Sequence, residues 1–140
     1  MNHVDLIAAL SAAIGPEQVL HDERSRAYFA HDLFHSGRPP ACVVVPLTPE
    51  HVVDAVRVAT SAGHPVVPRG GGMSYTGGYV ADDENAVMFD LRRLDRVLEI
   101  DEVNRFVTVE AGCTWASLHE ALAAKGLLLA PNIAQMYTTG

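Results

Sequence analysis

Lysine is nearly missing from this 140-residue chain: Lys125 stands alone, and the other nine cations are arginines. Positive charge is short altogether. Ten Lys and Arg face seventeen Asp and Glu, leaving a net charge of −7. That balance excludes a non-specific nucleic-acid binder, which needs a basic face to neutralise phosphates. It does not exclude a small anionic ligand, because a few backbone N–H groups hold a phosphate inside an acidic protein. Cysteine is scarce as well. Cys42 and Cys113 sit in Ala-Cys-Val-Val-Val and Ala-Gly-Cys-Thr-Trp, and two such residues make no disulfide framework. They read as small buried hydrophobes in a reducing compartment. No run is apolar and long enough for a signal peptide or a membrane span, so a cytoplasmic location is expected.

What is present suits one globular domain. Apolar residues make up 49% and charged residues 19%, and a chain of this size buries roughly two-thirds of its unfolded surface. Val4, Ile7, Ala8, Leu10 and Ile14 recur at helical spacing and stop at Gly15-Pro16, which predicts a short amphipathic helix. Residues 22–34 are mixed. Gly37-Arg38-Pro39-Pro40 breaks the chain, dividing a helical segment over residues 1–37 from a main domain over 38–140.

Cys42-Val43-Val44-Val45 predicts a strand buried on both faces. Thr48-Pro49 supplies a cap and a first-turn proline for a helix ending near Gly63, with Val52, Val53, Val56 and Ala59 as its buried stripe. Pro65-Val66-Val67-Pro68 predicts a second strand, completing a parallel βαβ pattern. Residues 86–91 predict a third strand. Residues 97–100 and 106–109 flank a polar turn, a hairpin signal. Thr114 caps a helix over 115–125 with Leu118, Leu122 and Ala123 inward and Gly126 as its stop. Residues 127–130 predict a last strand.

The most informative segment is Pro68-Arg69-Gly70-Gly71-Gly72-Met73-Ser74-Tyr75-Thr76-Gly77-Gly78. Five of its eleven residues are glycine, and a strand precedes it. A loop leaving a parallel strand is where α/β folds place ligands. Glycines remove the side chains that keep an anion away, and consecutive N–H groups form an anion-binding nest. A pyrophosphate matches such a concavity. Two familiar phosphate motifs fail here. Gly72 and Gly77 have the P-loop spacing, but Gly78-Tyr79 stands where Lys-Ser/Thr is required. Gly70 and Gly72 begin GxGxxG, but Tyr75 stands at the third glycine.

This segment resembles the FAD-binding loop of the vanillyl-alcohol-oxidase (PCMH-type) flavoproteins. It is most similar to the branch of glycolate oxidase subunits and D-lactate dehydrogenases. Tyr28 and Asp32, Val43-Val44-Val45-Pro46, Thr48-Pro49-Glu50-His51-Val52, Phe89-Asp90-Leu91, Leu94 and Val109-Glu110-Ala111-Gly112 extend the likeness over most of the chain. The resemblance implies an α+β fold, the first lobe of an FAD-binding PCMH-type domain. That lobe has a small parallel βαβ sheet plus an antiparallel hairpin, and is incomplete in this chain. It implies that Pro68, Arg69, Gly70, Gly71, Gly72, Met73, Ser74, Gly77 and Gly78 hold the FAD pyrophosphate, largely through backbone. It places Pro131, Asn132, Thr138, Thr139 and Gly140 near the flavin ring and ribityl chain, although Asn132 and Thr139 depart from the usual residues. Some relatives attach the flavin through a histidine after the third glycine. Met73 stands there, so non-covalent FAD is expected.

The implied activity is FAD-dependent oxidation of a small 2-hydroxy acid or alcohol. The remainder of the flavin domain and a substrate domain are expected after Gly140. The other readings are a nucleotide- or phosphate-binding module without redox chemistry, and a folded fragment that binds nothing. His31 and His35, four apart, offer weak metal spacing with no third ligand. Asp82-Asp83-Glu84 reads as a solvated turn. Trp115 and Tyr137 could touch a flavin but are more often core or surface residues. No catalytic acid, base or nucleophile can be assembled from local spacing.

Overall fold

The computed structural model describes residues 3–129. Helix α1 (His3–Ile14) turns Leu6, Leu10 and Ile14 inward, one per turn. It ends at Gly15, whose φ of 97° no side chain tolerates well. A 3₁₀ turn (Pro16–Gln18) leads to β1 (Val19–Leu20) and α2 (Glu23–Tyr28). Asp22 caps α2, its carboxylate accepting the Ser25 N–H at 2.9 Å. The sequence reading contained neither β1 nor α2.

Strand β2 (Cys42–Val44), helix α3 (Pro49–Ser61) and strand β3 (Val66–Arg69) follow as expected. Thr48 caps α3, accepting the His51 N–H, and Gly63 ends it at φ 78°. The buried face of α3 meets expectation at Val56 and Ala59 and differs at Val53 and Ala55. Ala55 and Ala59 are buried, whereas Val53 is 53% exposed. Small residues are needed because α1 lies directly on α3, and branched side chains at the contact would hold the helices apart.

Strand β4 (Val87–Asp90) inserts between β2 and β3, giving the order β1-β2-β4-β3. β2 and β3 both run parallel to β4, while β1 pairs antiparallel with β2 at the edge. The period of two divides the apolar side chains between two faces. Cys42, Val44, Val87 and Phe89 join Leu6, Leu10, Ala55 and Ala59 on one side. Val43 and Met88 pack with Phe29 on the other. The core thus crosses residue 37, with α1 and the α3 sheet face sharing one cluster. Burial pushes the Cys42 thiol up to about 12, with Arg26 drawing it slightly down, so this thiol is inert at neutral pH.

A separate hairpin pairs β5 (Val97–Asp101) with β6 (Phe106–Val109). The Asp101 carboxylate closes its turn, accepting the N–H groups of Val103 (3.0 Å) and Asn104 (2.8 Å). Helix α4 (Trp115–Ala123) follows its Thr114 cap, packs on β5 through a face with Leu118 and Leu122 buried, and ends before Gly126 at φ 70°. Two expectations fail here. Ala123 is exposed, and residues 127–129 form no strand, with Leu128 90% exposed. A leucine run carries no period that distinguishes strand from coil, and these residues have no ladder partner among the described residues. No described helix is long and apolar enough to cross a membrane.

Candidate functional site

The parallel strands β2, β3 and β4 end on one edge of the sheet, and the glycine loop leaves from that edge. Arg69 closes β3 opposite Asp90 of β4, and its carbonyl accepts the Leu91 N–H at 2.9 Å. Beyond it, residues 70–74 donate no backbone hydrogen bond to any described residue. They are exposed or half-buried. Gly72 turns at φ 81°, and the Tyr79 hydroxyl donates to its carbonyl. At Gly71 a side chain would meet nothing within 4 Å. A row of unpartnered N–H groups beside empty space is the arrangement an anion requires.

The second half of the loop is tied down. The Ser74 hydroxyl accepts the Thr76 and Gly78 N–H groups, each at 3.3 Å. The Gly77 N–H donates to Asp32 Oδ2 at 2.8 Å, across 45 residues of chain. Asp32 Oδ1 also accepts the N–H groups of Phe34 (2.8 Å) and His35 (2.6 Å), and His35 Nδ1 lies at 3.4 Å. Burial, the largest influence, pushes the Asp32 carboxyl up. Three backbone N–H donors and His35 together outweigh it, bringing the group from 3.8 to about 2. Because the folded value is the lower one, Asp32 stabilises the fold above pH 3.8. That contribution fades as pH falls toward 2. Asp32→Ala should leave the Gly77 amide without its acceptor. Its hydrogen-exchange rate at neutral pH should rise on the order of tenfold, with the β4 amides unchanged. Equal Gly77 exchange in parent and variant would mean that this tether does not restrain the loop.

Arg69 itself points back under the loop. Its guanidinium carbon lies 4.9 Å from the ring centroids of Phe29 and Tyr79 and 5.6 Å from that of Tyr28. The residue is only 7% exposed. Nε and Nη1 are buried with no hydrogen-bond partner, and no described carboxylate lies within ion-pair distance. The guanidinium also touches the underside of Gly72, where a Cβ would fall 2.6 Å from Nη2.

Two ion pairs brace the same edge. Arg92 grips the buried Asp90 through Nε at 2.9 Å and Nη2 at 2.7 Å. Arg96 holds Glu110 through its backbone N–H at 2.9 Å and Nη2 at 2.7 Å, so the guanidinium keeps the Glu110 carboxyl below its usual range. This places Ala111-Gly112 behind the loop, with the Ala111 carbonyl 3.1 Å from where a Gly70 Cβ would stand.

The structure therefore brings Arg69, Gly70, Gly71, Gly72, Met73 and Ser74 onto one open edge, with the N–H groups of Gly77 and Gly78 used internally. Pro68 is the exposed residue of β3 before the loop. Pro131, Asn132, Tyr137, Thr138, Thr139 and Gly140 lie outside the described residues. Trp115 lies on α4, its ring 6.5 Å from that of His119. His31 and His35 are not on a helix: His31 forms a bridge with Ser36, and His35 turns to Asp32. Sequence reasoning left Phe29, Tyr79, Arg92 and Arg96 without roles. Arg96 meets Glu110 across 14 residues, and Phe29 and Tyr79 meet Arg69 from distant positions; only Arg92, two residues from Asp90, has a local partner.

Comparison with known proteins gives the class. The family model described as an FAD binding domain matches residues 40–140. The chain belongs to that family, whose cofactor is FAD. It is 32% identical over 139 residues to a D-2-hydroxyglutarate dehydrogenase of Pseudomonas putida, covering 94% of this chain and 13% of the relative. It is 26% identical over 133 residues to a glycolate oxidase subunit of Bacillus subtilis, covering 94% of this chain and 28% of the relative. A solved 4-ethylphenol oxidase from Gulosibacter chungangensis superposes with a TM-score of 0.75 at 29% identity, over 88% of this chain and 24% of that one. The α+β lobe is thus the PCMH-type fold expected from the sequence, and the chain spans less than a third of each relative's length.

Proposed function

We propose that this chain supplies the pyrophosphate-binding part of an FAD-dependent oxidoreductase acting on a small 2-hydroxy acid or alcohol. The observation that carries this reading is the free backbone edge of residues 70–74 beside the open face of Gly71. These N–H groups hold the two phosphates. Pro68 and Arg69 set the loop's exit from the sheet, and Asp32, Ser74 and Tyr79 fix its shape around Gly77, Gly78 and Gly72. FAD held by these residues would supply the hydride-accepting chemistry for oxidising the substrate. The family resemblance assigns Pro131, Asn132, Thr138, Thr139 and Gly140 to the ring and ribityl chain, and the rest of the substrate pocket to the flavin and substrate domains that such relatives carry. The 2-hydroxy acid preference is supported by the likeness to D-2-hydroxyglutarate dehydrogenase and to the glycolate oxidase subunit.

Met73 stands, half-exposed, after the third glycine. Its thioether is no nucleophile toward a flavin methyl group, so attachment through this loop is non-covalent. Acid precipitation of the full-length protein should release all flavin to the supernatant. Yellow colour in the pellet that persists in Met73→Ala would locate a covalent bond elsewhere; colour abolished by Met73→Ala would contradict the assignment. Anaerobic addition of a 2-hydroxy acid should bleach the visible flavin absorption. An unbleached spectrum with both 2-hydroxy acids and alcohols would overturn the substrate reading.

A further inference from the structure

A buried arginine with unpaired donors is electrostatically unfavourable. Taking a guanidinium out of water is unfavourable unless anions or acceptors replace its hydration. Arg69 is only 7% exposed, and neither Nε nor Nη1 has a partner. The rings of Tyr28, Phe29 and Tyr79 present their faces to it, and cation–π attraction offsets part of that cost. No described carboxylate does the rest: Asp90, opposite Arg69 across the strands, is taken by Arg92, and Glu110 by Arg96. The charge is nevertheless held in one place, pressed against the underside of Gly72. The same loop carries the unpartnered N–H groups of residues 70–74.

We propose that the caged Arg69 guanidinium is a fixed positive floor to the loop, which makes the site select a diphosphate by charge acting through the backbone. Nε and Nη1 are buried away from the loop's open face, and Nη2 lies against Gly72, so the side chain acts from beneath the backbone and not as the main direct contact. What the guanidinium adds is a desolvated charge of constant sign, and such a charge acts at longer range than one in water. It also explains the aromatic box: the adjacent Tyr28 and Phe29 and the distant Tyr79 meet around Arg69, and rings shield the guanidinium without neutralising it. Arg69 is thus a positioning and selectivity residue. Its role rests on the pyrophosphate reading of the loop and deepens it: FAD and ADP feel the floor, and riboflavin, which carries no phosphate, does not.

The test uses the full-length protein stripped of flavin, with FAD, ADP and riboflavin as probes in titration calorimetry. Arg69→Met keeps length and fills the cage without charge; Arg69→Lys keeps the charge. Arg69→Met should lose on the order of tenfold or more in affinity for FAD and for ADP, with riboflavin unchanged. Arg69→Lys should recover most of that loss. The salt dependence of ADP binding should be shallower in Arg69→Met than in the parent and in Arg69→Lys. Parental affinity of Arg69→Met for ADP would overturn the proposal. So would an equal loss in Arg69→Lys, which would assign the effect to shape. A parent that binds FAD and riboflavin equally, and ADP not at all, would overturn the pyrophosphate reading itself, a result distinct from either.

Discussion

Gly71→Val should weaken FAD binding on the order of 100-fold while the melting temperature of the flavin-free protein stays at the parent's value. The separation of the two effects follows from where Gly71 sits. A Cβ built there meets nothing within 4 Å, and its φ is not in the left-handed region. The folded chain therefore accepts a side chain at this position without strain. A valine would project from the middle of the run of unpartnered N–H groups at residues 70–74, where a bound pyrophosphate would have to lie. An anion held there by several charge-assisted hydrogen bonds gains about 1.5–3 kcal/mol from each. Displacing it from two of them loses roughly 3 kcal/mol, which is about two powers of ten in affinity. The check is a pair of measurements on full-length protein: flavin fluorescence titration and a thermal melt without flavin. Unchanged affinity would mean that the phosphates lie elsewhere. A lowered melting temperature would mean that Gly71 packs in a way the fold does not show.

Gly112→Ala should do the reverse, lowering stability by about 3 kcal/mol, at the upper end of overpacking costs. Its Cβ would stand 2.3 Å from the Leu91 carbonyl oxygen, 2.7 Å from Arg92 Cα and 2.9 Å from the Arg92 carbonyl carbon. All three are backbone atoms, so no rotamer change relieves the contact. The segment cannot retreat either. The Gly112 N–H donates to the Leu94 carbonyl at 2.8 Å, and Glu110 next to it is fixed by Arg96. A shift here would also disturb the Ala111 carbonyl beneath Gly70. The expected fall in melting temperature is roughly 10 °C. Gly71→Ala is the control and should melt with the parent. Equal melting of Gly112→Ala and the parent would show that the β4–β5 turn is more yielding than its hydrogen bonds suggest.

The two glycines show how far the sequence could be read. The glycine loop announced itself by composition and by its place after a strand, because phosphate binding by backbone needs side chains removed from consecutive residues. Gly112 was visible only as part of Val109-Glu110-Ala111-Gly112, and nothing local gives its reason, which is a close approach to Leu91 and Arg92. The capped helices were legible for the same local cause. Thr48 and Thr114 accept the N–H three residues on, and Gly63 and Gly126 take the left-handed turn at the end. The inward face of α3 was read correctly at Val56 and Ala59 but not at Val53, because hydrophobicity favours valine, whereas the α1 contact selects the small Ala55. Strand β1 is two residues long, too short to carry a period.

Long-range polar pairing was least visible of all. Asp32 reaches Gly77 across 45 residues, and Arg69 is enclosed by rings from positions 28, 29 and 79. In the sequence Arg69 read as a residue whose backbone faces the phosphates, and its side chain had no assigned partner. The fold gives it one environment, dry and positive, directly below the loop. That a strand-end arginine lies under its own loop follows from the turn at Gly72, which a chain without the φ of 81° could not make.

The most direct measurement is a crystal structure of the full-length protein loaded with FAD. The pyrophosphate oxygens should accept hydrogen bonds from backbone N–H groups within residues 70–74 at about 2.7–3.2 Å, with Arg69 still enclosed by Tyr28, Phe29 and Tyr79. A pyrophosphate seated away from this loop, with those N–H groups bonded to water or to other protein atoms, would contradict the account.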